Sequence, residues 1–380
     1  MRIGFVCPRF FPPDGSVGGI EVFVVTLAER LQRLGHHAVV IAPATAGWRG
    51  PALDNVRGIS VYRFAASEIR PRFLSWRLQC QHMVEQTVRK EKLDLVECCD
   101  EGGMLLSKRF ARPLVVRMHQ NNMVRRRQMG RPPSPIGDFF VRRLLRMADV
   151  RVGVSDWVAR MTLETAGLNY SDYRVIYNGV DTTLFSPRPA GRNGCLRLLF
   201  VGRLAPGKGF PVLLGALPKV VETVPAVRLR CIGSDPLRSA ERCVSGLPQQ
   251  ARSLVELAGC VAHELMPDEY RGATLFVLPS EREGLPITVL EAMACGVPVI
   301  FMRDGVGPEV ITHGVDGLLC DTRDPASLAN AILEALSSSD LRRSLGARAR
   351  QKVEARFSLD KATDENVRLY EELVQRSRRG

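Results

Sequence analysis

The chain has no run of 18 uninterrupted apolar residues, which excludes a transmembrane helix of ordinary length. A strand that starts at Arg2 and runs soon into Pro12 and Pro13 leaves no room for a secretory signal peptide, so a soluble cytoplasmic chain is expected. The ten cysteines form no C-x-x-C pair, and no histidine stands at metal-ligand spacing. Most are therefore expected to be small buried hydrophobes in a reducing compartment, Cys231, Cys260 and Cys295 among them. The Asn169-Tyr170-Ser171 sequon has no meaning in such a compartment. No G-x-G-x-x-G follows the first strand, so the dinucleotide fingerprint is absent. Gly202 to Lys208 begins like a P-loop, but Gly209 stands where a hydroxyl must hold Mg²⁺, which excludes a P-loop ATPase. Short-period repeats and low-complexity segments are also missing.

What is present is an ordinary globular composition over 380 residues, a length that favours two domains. The net charge of +13 is uneven: residues 1–185 hold 27 Lys+Arg against 17 Asp+Glu, and the remainder 26 against 23. The excess in the first half implies an anionic partner there. Two basic stretches stand out, Arg70 to Arg77, which interleaves Phe73 and Trp76, and Arg125 to Arg131. Strands are predicted at Ile3–Cys7, Ala38–Ala42, Ile59–Arg63, Leu93–Glu97, Leu114–Arg117, Val150–Val154 and Tyr173–Ile176, with helices between most of them. A Pro- and Gly-rich linker near Ser186 to Gly194 opens a second αβ series, with strands at Leu196–Val201, Arg228–Ile232, Val255–Leu257, Leu275–Leu278 and Val299–Phe301. From Pro325 onward the chain reads as helix. The fold class is α/β, two tandem Rossmann-like doubly wound domains with a cleft between them.

Four places could carry chemistry. Gly18-Gly19 opens the first helix and could admit a ligand close to the backbone. The loop Val201 to Gly209 brings Arg203 and Lys208 to a helix start, which suits a diphosphate. Glu283 precedes a helix on which Pro286 is expected at the first position and Glu291 lies within; Gly296 and Pro298 end it. Paired carboxylates suggest glycosidase acid/base work, but beside a phosphate site they fit better as acceptors from sugar hydroxyls. His119 ends a strand in a polar context, where a neutral imidazole can donate, accept or relay a proton. Each has a plain alternative: a turn, two surface cations, helix-end charges, a satisfied structural histidine.

Together these segments resemble the retaining glycosyltransferases of family 4, with the GT-B fold. The resemblance runs through GGIEVFVVTLAERLQRLGH, VSDWVARMTLETAG, VIYNGVDTTLF, LFVGRLAPGKGF, GLPITVLEAMACGVPVI and EVITHGVDGLLCD, in the family's order. It implies an acceptor-binding domain over 1–185, with a last helix at about 360–376 packing back on it, and a nucleotide-sugar-binding domain over 186–359. It also implies that Arg203 and Lys208 hold the donor diphosphate, that Glu283 meets the sugar hydroxyls and Glu291 the ribose, and that the donor lies along Gly284, Leu285, Pro286 and Ile287, with the backbone N–H groups available from Leu285 to Ile287 meeting phosphate or sugar. Gly18 and Gly19 would face the donor phosphate, and His119 the transferred sugar. Cys98-Cys99-Asp100 stands where many relatives carry His or another polar residue, on the acceptor side.

The expected activity is transfer of a hexosyl unit, with retention, from a nucleotide-diphosphate sugar to a glycan, lipid-linked or small-molecule acceptor, in cell-surface polysaccharide or glycolipid synthesis. His119, Glu283, Arg203 and Lys208 are the expected catalytic set, and no cofactor or essential metal is expected. The basic first half suggests a peripheral association with an anionic membrane surface, and nucleic acid is not an expected partner. The alternative is a GT-B-fold sugar-nucleotide epimerase acting on the donor alone.

Overall fold

A computed structural model describes residues 1–11, 18–44, 52–64, 72–101, 106–169, 172–187, 196–235 and 237–379. The chain divides into two compact units, Met1–Asn178 with Asp360–Gly380, and Gly179–Leu359. This division falls earlier in the chain than the 185/186 boundary expected from composition. Much of the expected linker, 188–195, lies outside the described residues.

The first unit holds an eight-stranded sheet: β1 (Arg2–Val6), β2 (His37–Pro43), β3 (Leu53–Val56), β4 (Ile59–Phe64), β5 (Leu95–Cys99), β6 (Leu114–Met118), β7 (Val150–Gly153) and β8 (Arg174–Val175), in the order β3-β4-β2-β1-β5-β6-β7-β8. Only the β3–β4 pair is antiparallel. Strands β5 and β6 are buried at every residue, as parallel strands covered on both faces must be. The helix Gly19–Arg33 follows β1 and turns Phe23, Val24, Leu27 and Leu31 inward at helical spacing. Ser155 caps the helix Asp156–Ala166 by accepting from the Val158 amide at 3.2 Å, and Gly167 closes it at φ 66°.

The last helix, Leu359–Arg379, packs in this first unit. Its anchor is a buried polar cluster: Arg117 donates to both Glu97 oxygens (2.6 and 3.1 Å), Tyr370 donates to Glu97 at 2.6 Å, and Asn366 accepts from Arg117. Arg117 is fully buried, so its charge is tolerable only because Glu97 accompanies it.

The second unit holds six parallel strands: β9 (Arg197–Val201), β10 (Arg228–Ile232), β11 (Val255–Gly259), β12 (Leu275–Val277), β13 (Val299–Met302) and β14 (Leu318–Cys320), in the order β11-β10-β9-β12-β13-β14. Chain order reverses between β9 and β12, which makes their carboxyl ends the switch point where open α/β sheets bind ligands. In the first unit the corresponding point lies between β1 and β5. Strands β3 and β14 were not foreseen; both are short, and the exposed β3 sequence LDNV lacks the apolar alternation that marks a strand.

Candidate functional site

The switch point of the second unit joins the two constellations that stand about 75 residues apart in sequence. The Gly202–Gly209 loop leaves β9 and the Leu278–Pro286 loop leaves β12. Lys208 Nζ donates to Glu283 Oε1 and Oε2 at 2.7 and 2.9 Å. Glu283 is buried, and the Lys208 side chain is 26% exposed. Arg203 is exposed and has no ion pair or side-chain hydrogen bond among the described residues. One cation is thus held by a carboxylate and the other is open to an incoming anion.

Glycine sets how closely the two loops meet. Gly209 has φ 72°, and a Cβ there would lie 1.9 Å from the Pro279 carbonyl oxygen. No side chain fits, so the missing hydroxyl of the P-loop pattern is a packing requirement here. Gly233, at φ 141°, approaches Gly202 equally closely, with a built Cβ 2.0 Å from the Gly202 carbonyl.

Pro286 is the N-cap of the helix Ile287–Ala294, one position earlier than the sequence spacing predicts. Its φ of −75° is still the one proline prefers, and as cap it supplies no side-chain acceptor. The amides of Ile287 and Thr288 consequently have no hydrogen-bond partner among the described residues, which leaves the positive end of this helix available to an anion. Leu285 is buried beneath this turn, between Gly284 and Pro286.

Glu291 lies within that helix, buried, and both its oxygens are engaged. Tyr270 Oη donates to Oε2 at 2.7 Å, and His263 Nε2 lies 3.2 Å from Oε1. Phe185 packs edge-on against both rings. Tyr270 and His263 escaped sequence reading: they lie on separate short elements, and only tertiary packing brings them to Glu291. A hydroxyl donor on a ligand would have to share Oε1 or Oε2 with these partners, which carboxylate lone pairs allow.

In the first unit, Gly18 is the N-cap of the helix Gly19–Arg33. The Gly18 amide donates to Glu21 Oε2 at 3.2 Å, and Arg9 pairs with Glu21 at 2.9 Å, so a carboxylate already sits at this helix start. A Cβ on Gly19 would meet nothing within 4 Å among the described residues. His119 follows β6, packed edge-on against Phe23 with ring centroids 5.3 Å apart. Burial, with the Arg117 cation nearby, pushes its imidazole down to about 3, so it is neutral at physiological pH.

Asp100, at the end of β5, holds the turn after His119. Oδ1 accepts from the His119 amide at 3.2 Å and Oδ2 from Asn121 Nδ2 at 2.8 Å. Gln120 between them takes φ 83°, a conformation costly for a residue with a Cβ and characteristic of constrained sites. Burial raises the Asp100 carboxyl to about 7. Its place at the β1/β5 switch point was the available signal.

Cys98 and Cys99 are buried beside this cluster, and no group of three or more potential metal ligands occurs among the described residues. Cys260 is exposed, contrary to expectation, because it follows β11 at the sheet edge. Of the basic stretch Arg70–Arg77, residues 70 and 71 lie outside the described residues and Arg77 is buried, its guanidinium 3.8 Å from the Phe140 ring centroid. Arg77 therefore adds no cationic surface. The sequon residues 170 and 171 also lie outside the described residues.

A family model described as Glycosyltransferase Family 4 matches residues 17–184, and one described as Glycosyl transferases group 1 matches residues 195–338. A D-inositol 3-phosphate glycosyltransferase of Acidothermus cellulolyticus is 29% identical over 367 residues, covering 86% of this chain and 79% of its own. An uncharacterized glycosyltransferase of Methanocaldococcus jannaschii is 28% identical, covering 97% and 98%. Among solved structures, sucrose-phosphate synthase from Thermosynechococcus elongatus matches with TM-score 0.83 at 23% identity, covering 98% and 99%. The Anabaena protein HepE in complex with UDP-glucose matches with TM-score 0.76 at 22% identity, covering 98% and 100%. The structural likeness is one of fold, two parallel-sheet domains of the GT-B type.

Proposed function

The chain belongs to glycosyltransferase family 4, and from that premise we propose that this hexosyltransferase takes its sugar from a nucleoside-diphosphate donor bound in the second unit and transfers it with retention. The observation that carries this reading is the meeting of Lys208, Glu283 and the open Ile287 and Thr288 amides at the β9/β12 switch point. Anions bind where cations and helix-start amides converge, and buried carboxylates bind hydroxyls. HepE, which has this fold, is known with UDP and with UDP-glucose bound, which makes a uridine donor the first to test.

In this mechanism the donor diphosphate lies against Arg203, Lys208 and the backbone amides of Leu285, Ile287 and Thr288. As the glycosidic C–O bond breaks, negative charge grows on the leaving diphosphate, and these fixed donors stabilise it without reorganising. Glu283 orients the sugar by accepting from its hydroxyls, and Glu291, held by Tyr270 and His263, accepts from the ribose. The acceptor hydroxyl attacks on the face the diphosphate leaves and passes its proton to that group. The charge stabilisation comes from protein groups, so the reading needs no metal and no cofactor.

In the first unit, the family resemblance implies Gly18 and Gly19 for the donor phosphate and His119, with its neutral imidazole, for the transferred sugar. The acceptor is a glycan, a lipid-linked sugar or a phosphorylated small molecule such as the inositol phosphate named for the relatives, and the enzyme works in cell-surface polysaccharide or glycolipid synthesis at the cytoplasmic side of a membrane. Thermal-shift titration with UDP-, GDP- and ADP-sugars tests donor binding. The best donor is then incubated with an acceptor panel, and the anomer of the product is read by NMR. An inverted product overturns retention. Conversion of the donor alone, with no acceptor consumed, supports an epimerase instead.

A further inference from the structure

The helix Pro135–Met147 buries Asp138, Val141, Leu144, Leu145 and Met147 and turns a second stripe to solvent. That stripe carries Ile136, Phe139, Arg142, Arg143 and Arg146, which recur at the three- and four-residue spacing of one helical face. Ile136 is 70% exposed and Phe139 56%. The segment leading into the helix continues the pattern, with exposed Met129, Arg131, Pro132 and Pro133. From Asn122 to Ala148 there are seven arginines and one acidic residue, Asp138, which is buried and accepts from the Ser134 amide. Arg131, Arg142 and Arg146 make no ion pair among the described residues.

We propose that this face, centred on Ile136 and Phe139 and flanked by Arg131, Arg142 and Arg146, docks on an anionic membrane surface. It gives the peripheral-membrane part of the proposed function a location, and rests on that part alone. Two exposed apolar side chains next to uncompensated guanidinium groups match a lipid surface, where the apolar groups enter the boundary and the cations meet lipid phosphates. An anionic polymer would use the arginines and leave Ile136 and Phe139 idle, and that difference decides between them. Exposed residues of this kind contribute little to folding, so their replacement leaves the protein intact.

The test is flotation of the full chain with vesicles of phosphatidylcholine alone or with about a third phosphatidylglycerol, at low and high salt. Wild type should float with the anionic vesicles and release as salt rises. Each arginine near such a surface contributes roughly five-fold, so Arg131→Ser/Arg142→Ser/Arg146→Ser should lose about a hundred-fold in partitioning. Ile136→Ser/Phe139→Ser should lose at least about ten-fold with its charge unchanged. Failure of wild type to float, or undiminished flotation of Ile136→Ser/Phe139→Ser, overturns the proposal. So does heparin binding that matches vesicle binding in strength and ignores the apolar substitutions. Donor binding, measured on the same preparations, separates this outcome from the glycosyltransferase reading: it should be unchanged in every variant.

Discussion

The Lys208–Glu283 pair allows stability and turnover to be separated. Lys208→Met strands the Glu283 carboxylate, which is 7% exposed. An uncompensated carboxylate costs about 3–5 kcal/mol when fully enclosed. The Lys208 side chain is 26% exposed, so solvent screens part of the pair and about 2 kcal/mol is a fair expectation. In a domain of this size that lowers Tm by about 4–8 °C. Lys208→Met/Glu283→Gln removes both charges, and a coupling of about 1–2 kcal/mol should return most of the lost stability. Turnover should follow a different course. Without the Lys208 cation, transition-state stabilisation falls by about 3–4 kcal/mol, or 10²–10³-fold in kcat, and the double variant recovers none of it. Calorimetry of the four proteins gives the cycle, and nucleotide release in the presence of donor and acceptor gives the rates. Arg203→Ala serves as comparison: its side chain is exposed, so Tm should move little while kcat/KM falls about a hundred-fold. A double variant as unstable as the sum of its parts, or near-normal turnover in Lys208→Met, refutes the reasoning.

Tyr270→Phe removes the 2.7 Å donor to Glu291 and leaves a buried carboxylate oxygen short of a partner, a cost of about 1–3 kcal/mol. Donor KM should rise more than kcat falls, as initial rates will tell. Gly209→Ser restores the P-loop consensus but must displace the Pro279 carbonyl, so thermal denaturation should show a less stable protein with no gain in ATP binding. Asp100 and His119 oppose each other with pH. The Asp100 carboxyl is raised to about 7 in the folded protein, so its stabilisation is complete below about pH 4 and lost as pH rises toward 7. The His119 imidazole is depressed to about 3, so its contribution is present above about pH 6.5 and lost as pH falls. Between about pH 4 and 6.5 the two slopes cancel. Relative to wild type, His119→Gln should therefore lose Tm as pH rises through that window, and Asp100→Asn should gain it. Parallel profiles for all three proteins would contradict both assignments.

How much of this was legible in the sequence depends on the range of the interaction concerned. Apolar runs that alternate with amphipathic periods specify buried strands and covering helices, and most elements lie within a few residues of where the pattern puts them. Glycine and proline likewise marked the loops at Gly202–Gly209 and Glu283–Pro286, because backbone restriction is local to the residue. The motifs also carry the family, since their order along the chain is itself a one-dimensional property. Pro286 fell one position off because the choice between cap and first helical residue depends on how the preceding loop enters the turn.

The rest waited on strand order. Sequence could name Lys208 and Glu283, but only the adjacency of β9 and β12 makes them an ion pair. Glu291 looked like a helix charge until packing brought Tyr270 and His263 to it from other elements. Asp100 was an unexplained departure, and the β1–β5–β6 neighbourhood turns it into the support of the His119 turn. The basic character of the first half was plain from composition, yet which arginines face outward was not. Arg77 is buried against Phe140, whereas Arg131, Arg142 and Arg146 are exposed. Composition and spacing act along the chain and could be read there; burial and partnership depend on what the fold brings alongside, and only the tertiary structure decided them.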